Sequence, residues 1–193
     1  MTRGLEVLVA AVTMLAATGH AQAQGFFDMR DIMGGGPSFG GGYSRGGSSI
    51  PRSTVMLPSS YAPGTILINT SERRLYLVQS NGQALSYGIG VGRDGFRWGG
   101  ATRVSAKREW PDWRPPKDML ERRPDLPHFM AGGPENPLGA RAMYLGSSLY
   151  RIHGSNEPWT IGTAVSSGCI RMRNEDVIDL YGRVKVGTKV VVI

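Results

Sequence analysis

The sequence predicts a mainly β domain, a curved sheet or sandwich with small helices packed on it. Three observations lead there. Short aliphatic and β-branched runs recur from residue 65 onward. Asn81-Gly82 lies between two of them, and that dipeptide favours the tight turn of a hairpin. Only one segment, close to the C-terminus, carries a full set of helix signals.

Taken in order, residues 65–69 and 74–78 are expected as strands, and Asn81-Gly82 turns the chain into a third at 84–91. Residues 103–110 alternate well enough for a fourth. Residues 111–136, rich in proline and charge, are expected as an irregular excursion with a short helix at 117–122. An excursion of that length usually has work to do, such as forming a lid. Residues 142–145 and 149–153 are strand-like, with Gly146-Ser147-Ser148 turning between them. Asn174 is placed to N-cap a helix running through 176–184, with Glu175 and Asp176 in its first turn, where the helix dipole favours negative charge. Residues 188–193 close the chain as a buried strand.

The N-terminal part reads differently. Residues 1–23 have the form of a secretory signal: Arg3 near the amine, a mostly apolar run at 5–17, then the small-x-small pattern Ala21-Gln22-Ala23. That run falls short of the roughly 20 apolar residues that cross a bilayer, so no stable membrane insertion is expected after cleavage. Residues 24–58 contain three glycine clusters and are expected as a flexible leader. Residues 59–193 are then expected to form the folded domain of an exported protein. The formal charge of +7 suits anionic neighbours such as cell-wall polymer. Lysines and arginines are scattered, and together with the compartment this argues against nucleic acid.

Chemistry concentrates at one place. The chain has a single cysteine, Cys169, in Ser166-Ser167-Gly168-Cys169-Ile170-Arg171, downstream of His153-Gly154-Ser155. A solitary cysteine in an oxidising compartment has no partner for an internal disulfide. As a thiolate it is the most nucleophilic side chain near neutral pH, and histidine is the usual proton acceptor. His20 leaves with the signal, and His128 sits in the proline-rich excursion, so His153 is the candidate base. Taken singly, Cys169 could equally be a small buried hydrophobe, and His153 a satisfied strand-end residue. Two histidines, one cysteine and dispersed carboxylates lack metal-ligand spacing, so no metal or other cofactor is expected.

The joint pattern of His153-Gly154-Ser155, Ile161-Gly162-Thr163-Ala164-Val165 and Ser-Ser-Gly-Cys-Ile-Arg-Met-Arg-Asn resembles the L,D-transpeptidase catalytic domain, the YkuD or ErfK/YbiS/YcfS/YnhG family. Residues 136–142, Asn-Pro-Leu-Gly-Ala-Arg-Ala, are similar to the stretch that precedes the catalytic histidine there. One position departs: many members have histidine where this chain has Ser167, a residue that does not titrate near neutral pH.

The resemblance implies a curved mixed β-sheet with a catalytic Cys–His cleft. It implies Cys169 as nucleophile, His153 as base, and a backbone carbonyl around Gly154 or Ser155 orienting the imidazole. The N–H groups of Gly168 and Cys169 would form the oxyanion hole. The implied donor is a peptidoglycan stem tetrapeptide, which loses D-alanine to form a thioester. The implied acceptor is an amine on another stem or on an envelope protein. Arg171 and Arg141 are candidates for holding substrate carboxylates, with ion pairs as the alternative reading. Ser167 and Trp159 are candidates for lining the cleft. A hydrolase using the same acyl-enzyme with water, acting as an L,D-carboxypeptidase, or an inactive peptidoglycan-binding module are the competing readings.

Overall fold

The computed structural model describes residues 50–57 and 60–193. The expected signal, residues 1–23, and most of the expected leader lie outside the described residues. Among the described residues, eleven strands form a nine-stranded mixed sheet and a separate parallel pair. The first are β1 (Ser53–Met56), β2 (Ile66–Asn69), β3 (Arg74–Val78), β4 (Gln83–Gly88), β5 (Val91–Gly92) and β6 (Gly100–Glu109). After helix α1 (Lys117–Arg122) come β7 (Arg141–Leu145), β8 (Arg151–His153), β9 (Ala164–Ser166) and β10 (Ile170–Arg171). Helix α2 (Asn174–Arg183) and β11 (Lys189–Val192) end the chain.

The large sheet runs β1-β4-β3-β2-β11-β6-β7-β8-β10, and β5 pairs with β9 apart from it. Strand β11 is parallel to β2, and β10 is parallel to β8; the other neighbours in the large sheet are antiparallel. Strand β6 bends the sheet. Its first half pairs with β11 and its second half with β7, with a register irregularity between Val104 and Ala106. A bulge at that point turns one strand into a hinge between two half-sheets.

The β3–β4 hairpin follows from its turn residues. Asn81 and Gly82 both have positive φ, 59° and 69°, as a type I′ turn requires. The principal core lies beneath this curved sheet and includes Ile66, Ile68, Leu75, Tyr87, Met143, Ile152, Ile170 and Val190. Helix α2 adds Val177 and Leu180 to it.

Two expectations need correction. Strand β1 falls inside the stretch expected as leader: residues 53–56 pair with β4, so ordered structure begins before residue 59. The pattern Ser-Thr-Val-Met is too short and too exposed to announce an edge strand by its alternation. Asn174 is not the N-cap. Arg173 holds that position, without a capping side chain, while the Asn174 Oδ1 accepts from the Ala140 N–H at 2.9 Å. The proline-rich excursion is irregular as expected, and it packs around a small core of Trp113, Leu126 and Leu138. Its short helix does occupy 117–122.

Candidate active site

Strand alternation places the chemistry. Ile152 and Ile170 face each other in the parallel β8–β10 pair and are buried in the core. Their neighbours therefore point to the opposite face. Those neighbours are Arg151 and His153 on β8, and Cys169 and Arg171 beside or on β10. The register pairs Arg171 with His153, so one pair earlier Cys169 continues opposite Arg151. All four line a single cavity of about 430 Å³.

The turn carrying Cys169 is held from several directions. The Ser166 hydroxyl donates to the Cys169 carbonyl at 2.6 Å and accepts from the Gly168 N–H at 3.2 Å. Gly168 has φ +102°, and a Cβ there would come within 2.5 Å of the Tyr150 ring, so glycine is required. Trp98 stacks on Tyr150 with ring centroids 4.6 Å apart, and its indole N–H donates to the Gly168 carbonyl at 2.8 Å. On the other flank, Gly90 and Arg171 exchange two backbone hydrogen bonds, both 2.9 Å. Sequence reasoning did not single out Ser166, Trp98 or Tyr150. Only the first carried a signal, as the opening residue of the Ser-x-Gly-Cys turn.

His153 is buried, with its Nδ1 2.5 Å from the Gly154 carbonyl oxygen. A carbonyl only accepts, so Nδ1 carries the proton and Nε2 is left bare. Gly154 is tightly packed: a Cβ there would overlap the Asn174 Oδ1, so this turn too needs glycine. Burial is the main cause that pulls the His153 pKa down to about 3, and the nearby Arg171 cation adds to it. The Gly154 carbonyl opposes the shift. Burial also pushes the Cys169 thiol up, partly offset by the positive charges of Arg151 and Arg171. The resting pair is thus a neutral thiol and a neutral imidazole.

The far wall of the cavity comes from the excursion. Trp113, Pro116, Asp118, Met119 and Arg122 all face it. Asn136 fixes that wall from below, donating from Nδ2 to the carbonyls of Pro111, Met130 and Ala131 and accepting from the Leu138 N–H.

Not every candidate residue converges here. Ser167 lines the cavity with Cys169. Arg171 lines it as well, but its Nη1 is 3.0 Å from Oε2 of buried Glu157, so a carboxylate already occupies part of its fork. Arg141 is not on the cavity wall. It pairs with Glu109 at 3.1 Å and lies over the Tyr181 ring. Trp159 is 56% exposed in the 3₁₀ turn Pro158–Thr160 and also lies off the wall. The Gly168 N–H, expected as an oxyanion donor, is engaged by Ser166. His128 is exposed and outside the cavity. Arg151 was not anticipated at all.

The chain is similar to known proteins in sequence and in fold. A family model described as YkuD, L,D-transpeptidase catalytic domain, matches residues 63–192. The Escherichia coli K12 protein described as a probable L,D-transpeptidase, ErfK/SrfK, is 38% identical over 154 residues, or 75% of this chain and 48% of that protein. The chain spans about half the length of the curated relatives it matches. A Brucella melitensis structure described as a probable carnitine operon oxidoreductase is 49% identical, covering 75% of this chain and 94% of that one with a TM-score of 0.52. An L,D-transpeptidase from Mycobacterium smegmatis is 17% identical and covers 67% of this chain and 58% of its own, with a TM-score of 0.52. That last likeness is one of fold.

Proposed function

The chain belongs to the L,D-transpeptidase catalytic domain family, and from that membership we propose that it remodels peptidoglycan through a thioester on Cys169. One observation carries the proposal: Cys169, immediately before β10, and His153, on the parallel neighbour β8, line one cavity.

In this reading His153 Nε2 takes the Cys169 proton as sulfur attacks the carbonyl of the diaminoacyl–D-alanine bond in a stem tetrapeptide. The carbonyl oxygen becomes an oxyanion, and the Cys169 N–H is the main-chain donor best placed to meet it. A donor of this kind is worth about 3–4 kcal/mol in acyl transfer. Collapse breaks the C–N bond; D-alanine leaves with the proton returned by His153. An acceptor amine then attacks the thioester and passes its proton to His153. Sulfur departs and recovers a proton as the thiol.

The acceptor is an amine of a neighbouring stem or of an envelope protein, and the place of action is the periplasm. The signal-like residues 1–23 and the basic charge support that location. The test is intact-mass analysis after incubation with stem tetrapeptides. The parent should gain the donor mass less D-alanine, and Cys169→Ala should gain nothing. An undiminished adduct on Cys169→Ala would rule out this nucleophile. Added amine should then appear joined to the donor; release of the free acid alone would identify water as acceptor.

A further inference from the structure

Three arginines line the cavity, and they differ in how their charge is met. Arg171 is paired with Glu157. Arg122 is exposed at the end of α1. Arg151 is partly buried; its Nε is shut off from solvent and has no hydrogen-bond partner among the described residues. No carboxylate of the described residues lies within ion-pair distance of it. Its guanidinium carbon rests 5.2 Å from the centroid of the Tyr144 ring, and the group also hydrogen-bonds to the Cys169 sulfur, yet neither contact satisfies its Nε. A buried, unmatched N–H on a cation is costly, and such groups persist where a ligand completes them.

Position then says which part of the ligand. Cys169 continues the β10 register directly opposite Arg151, and neighbouring strands are about 4.8 Å apart. In a peptide whose last residue is being expelled, the terminal carboxylate carbon lies roughly 3–4 Å from the scissile carbonyl carbon, by standard bond lengths. A carbonyl at the Cys169 sulfur therefore brings that carboxylate to the neighbouring strand. The planar fork of Arg151 matches a carboxylate's two oxygens.

We propose that Arg151 binds the terminal carboxylate of the residue that leaves during acylation, and so selects donors in which one residue with a free C-terminus follows the scissile bond. This assignment rests on the transpeptidase reading. Arg141 and Arg171, the arginines that the sequence pattern nominated, are already matched by Glu109 and Glu157.

The test compares two donors: a stem tetrapeptide with a C-terminal acid, and the same peptide with a C-terminal amide. Acyl-enzyme formation on the full chain is followed by intact mass. The parent should favour the acid by tenfold or more in kcat/KM. Arg151→Gln should bring that ratio close to one by losing rate on the acid, and Arg151→Lys should restore part of it. A parent indifferent to the two donors overturns the assignment, as does a ratio unchanged in Arg151→Gln. Near-UV circular dichroism checks that the variants fold; if Arg151→Gln does not, the parent ratio and Arg151→Lys decide. A parent acylated by neither donor sinks the transpeptidase reading together with this one. Acylation with an Arg151-independent preference sinks this one alone.

Discussion

His153 shows how the burial of one residue couples its protonation to stability. Its folded-state pKa of about 3 lies well below the ordinary 6.5, chiefly because burial penalises the imidazolium. Between those values the unfolded chain holds a proton that the folded chain does not. Stability therefore rises with pH through that window: the contribution is complete above pH 6.5 and is lost as pH falls towards 3. The slope from one such group is at most about 1.4 kcal/mol per pH unit. Urea unfolding at pH 7, 6 and 5 should show the parent losing stability more steeply than His153→Gln, by close to one proton. Parallel pH dependences would contradict the buried neutral imidazole. The sequence made His153 a candidate through its neighbours, Gly154 and Ser155. Its burial, and hence its weak basicity, came from packing against other elements.

At the scale of elements, the proline-rich excursion is the part whose function depends most on its internal order. Its irregular sequence gives no periodicity to follow, yet α1 and Trp113 form a cavity wall anchored by Asn136. Asn136→Ala would remove an amide whose two N–H donors are shared among three carbonyls, and one accepted bond, leaving carbonyls such as that of Pro111 without this partner. We expect a loss of about 2 kcal/mol, within the range for buried hydrogen-bonding groups left unmatched. Because the wall would loosen while the Cys169 turn stays intact, donor KM should rise several-fold with kcat little changed. Steady-state kinetics check this, and an unchanged KM would mean the wall does not touch the donor. The same scale explains the Asn174 correction. Its position at the start of α2 suits a cap, but the Ala140 N–H lies close enough to claim its side chain.

For the molecule as a whole, β11 is the central tie. It lies between β2 and β6, parallel to the first and antiparallel to the second. Val190 and Val192 enter the principal core. Deleting residues 189–193 would expose both flanking strands along their hydrogen-bonding edges and open the core. The truncated chain should show no cooperative thermal transition by circular dichroism. A retained sharp melt would show that the two half-sheets are stable without their join. No helix of the described residues is long and apolar enough to cross a membrane.

Sequence alone settled what short-range rules control. Strands β2 and β3, the Asn81-Gly82 turn and the α1 helix depend on a few neighbouring residues each, so their signals survive without knowledge of the fold. The Cys169 turn and the His153 turn were legible for the same reason. Tertiary structure decided which arginines face the thiol. Arg141, Arg151 and Arg171 all sit at strand positions, and nothing local separates them. The β8–β10 register turns two of them into the cavity, while Glu157, arriving beside the 3₁₀ turn, neutralises only one. Side-chain partners are chosen by distance in space, and that distance is set by pairings between strands far apart in the chain.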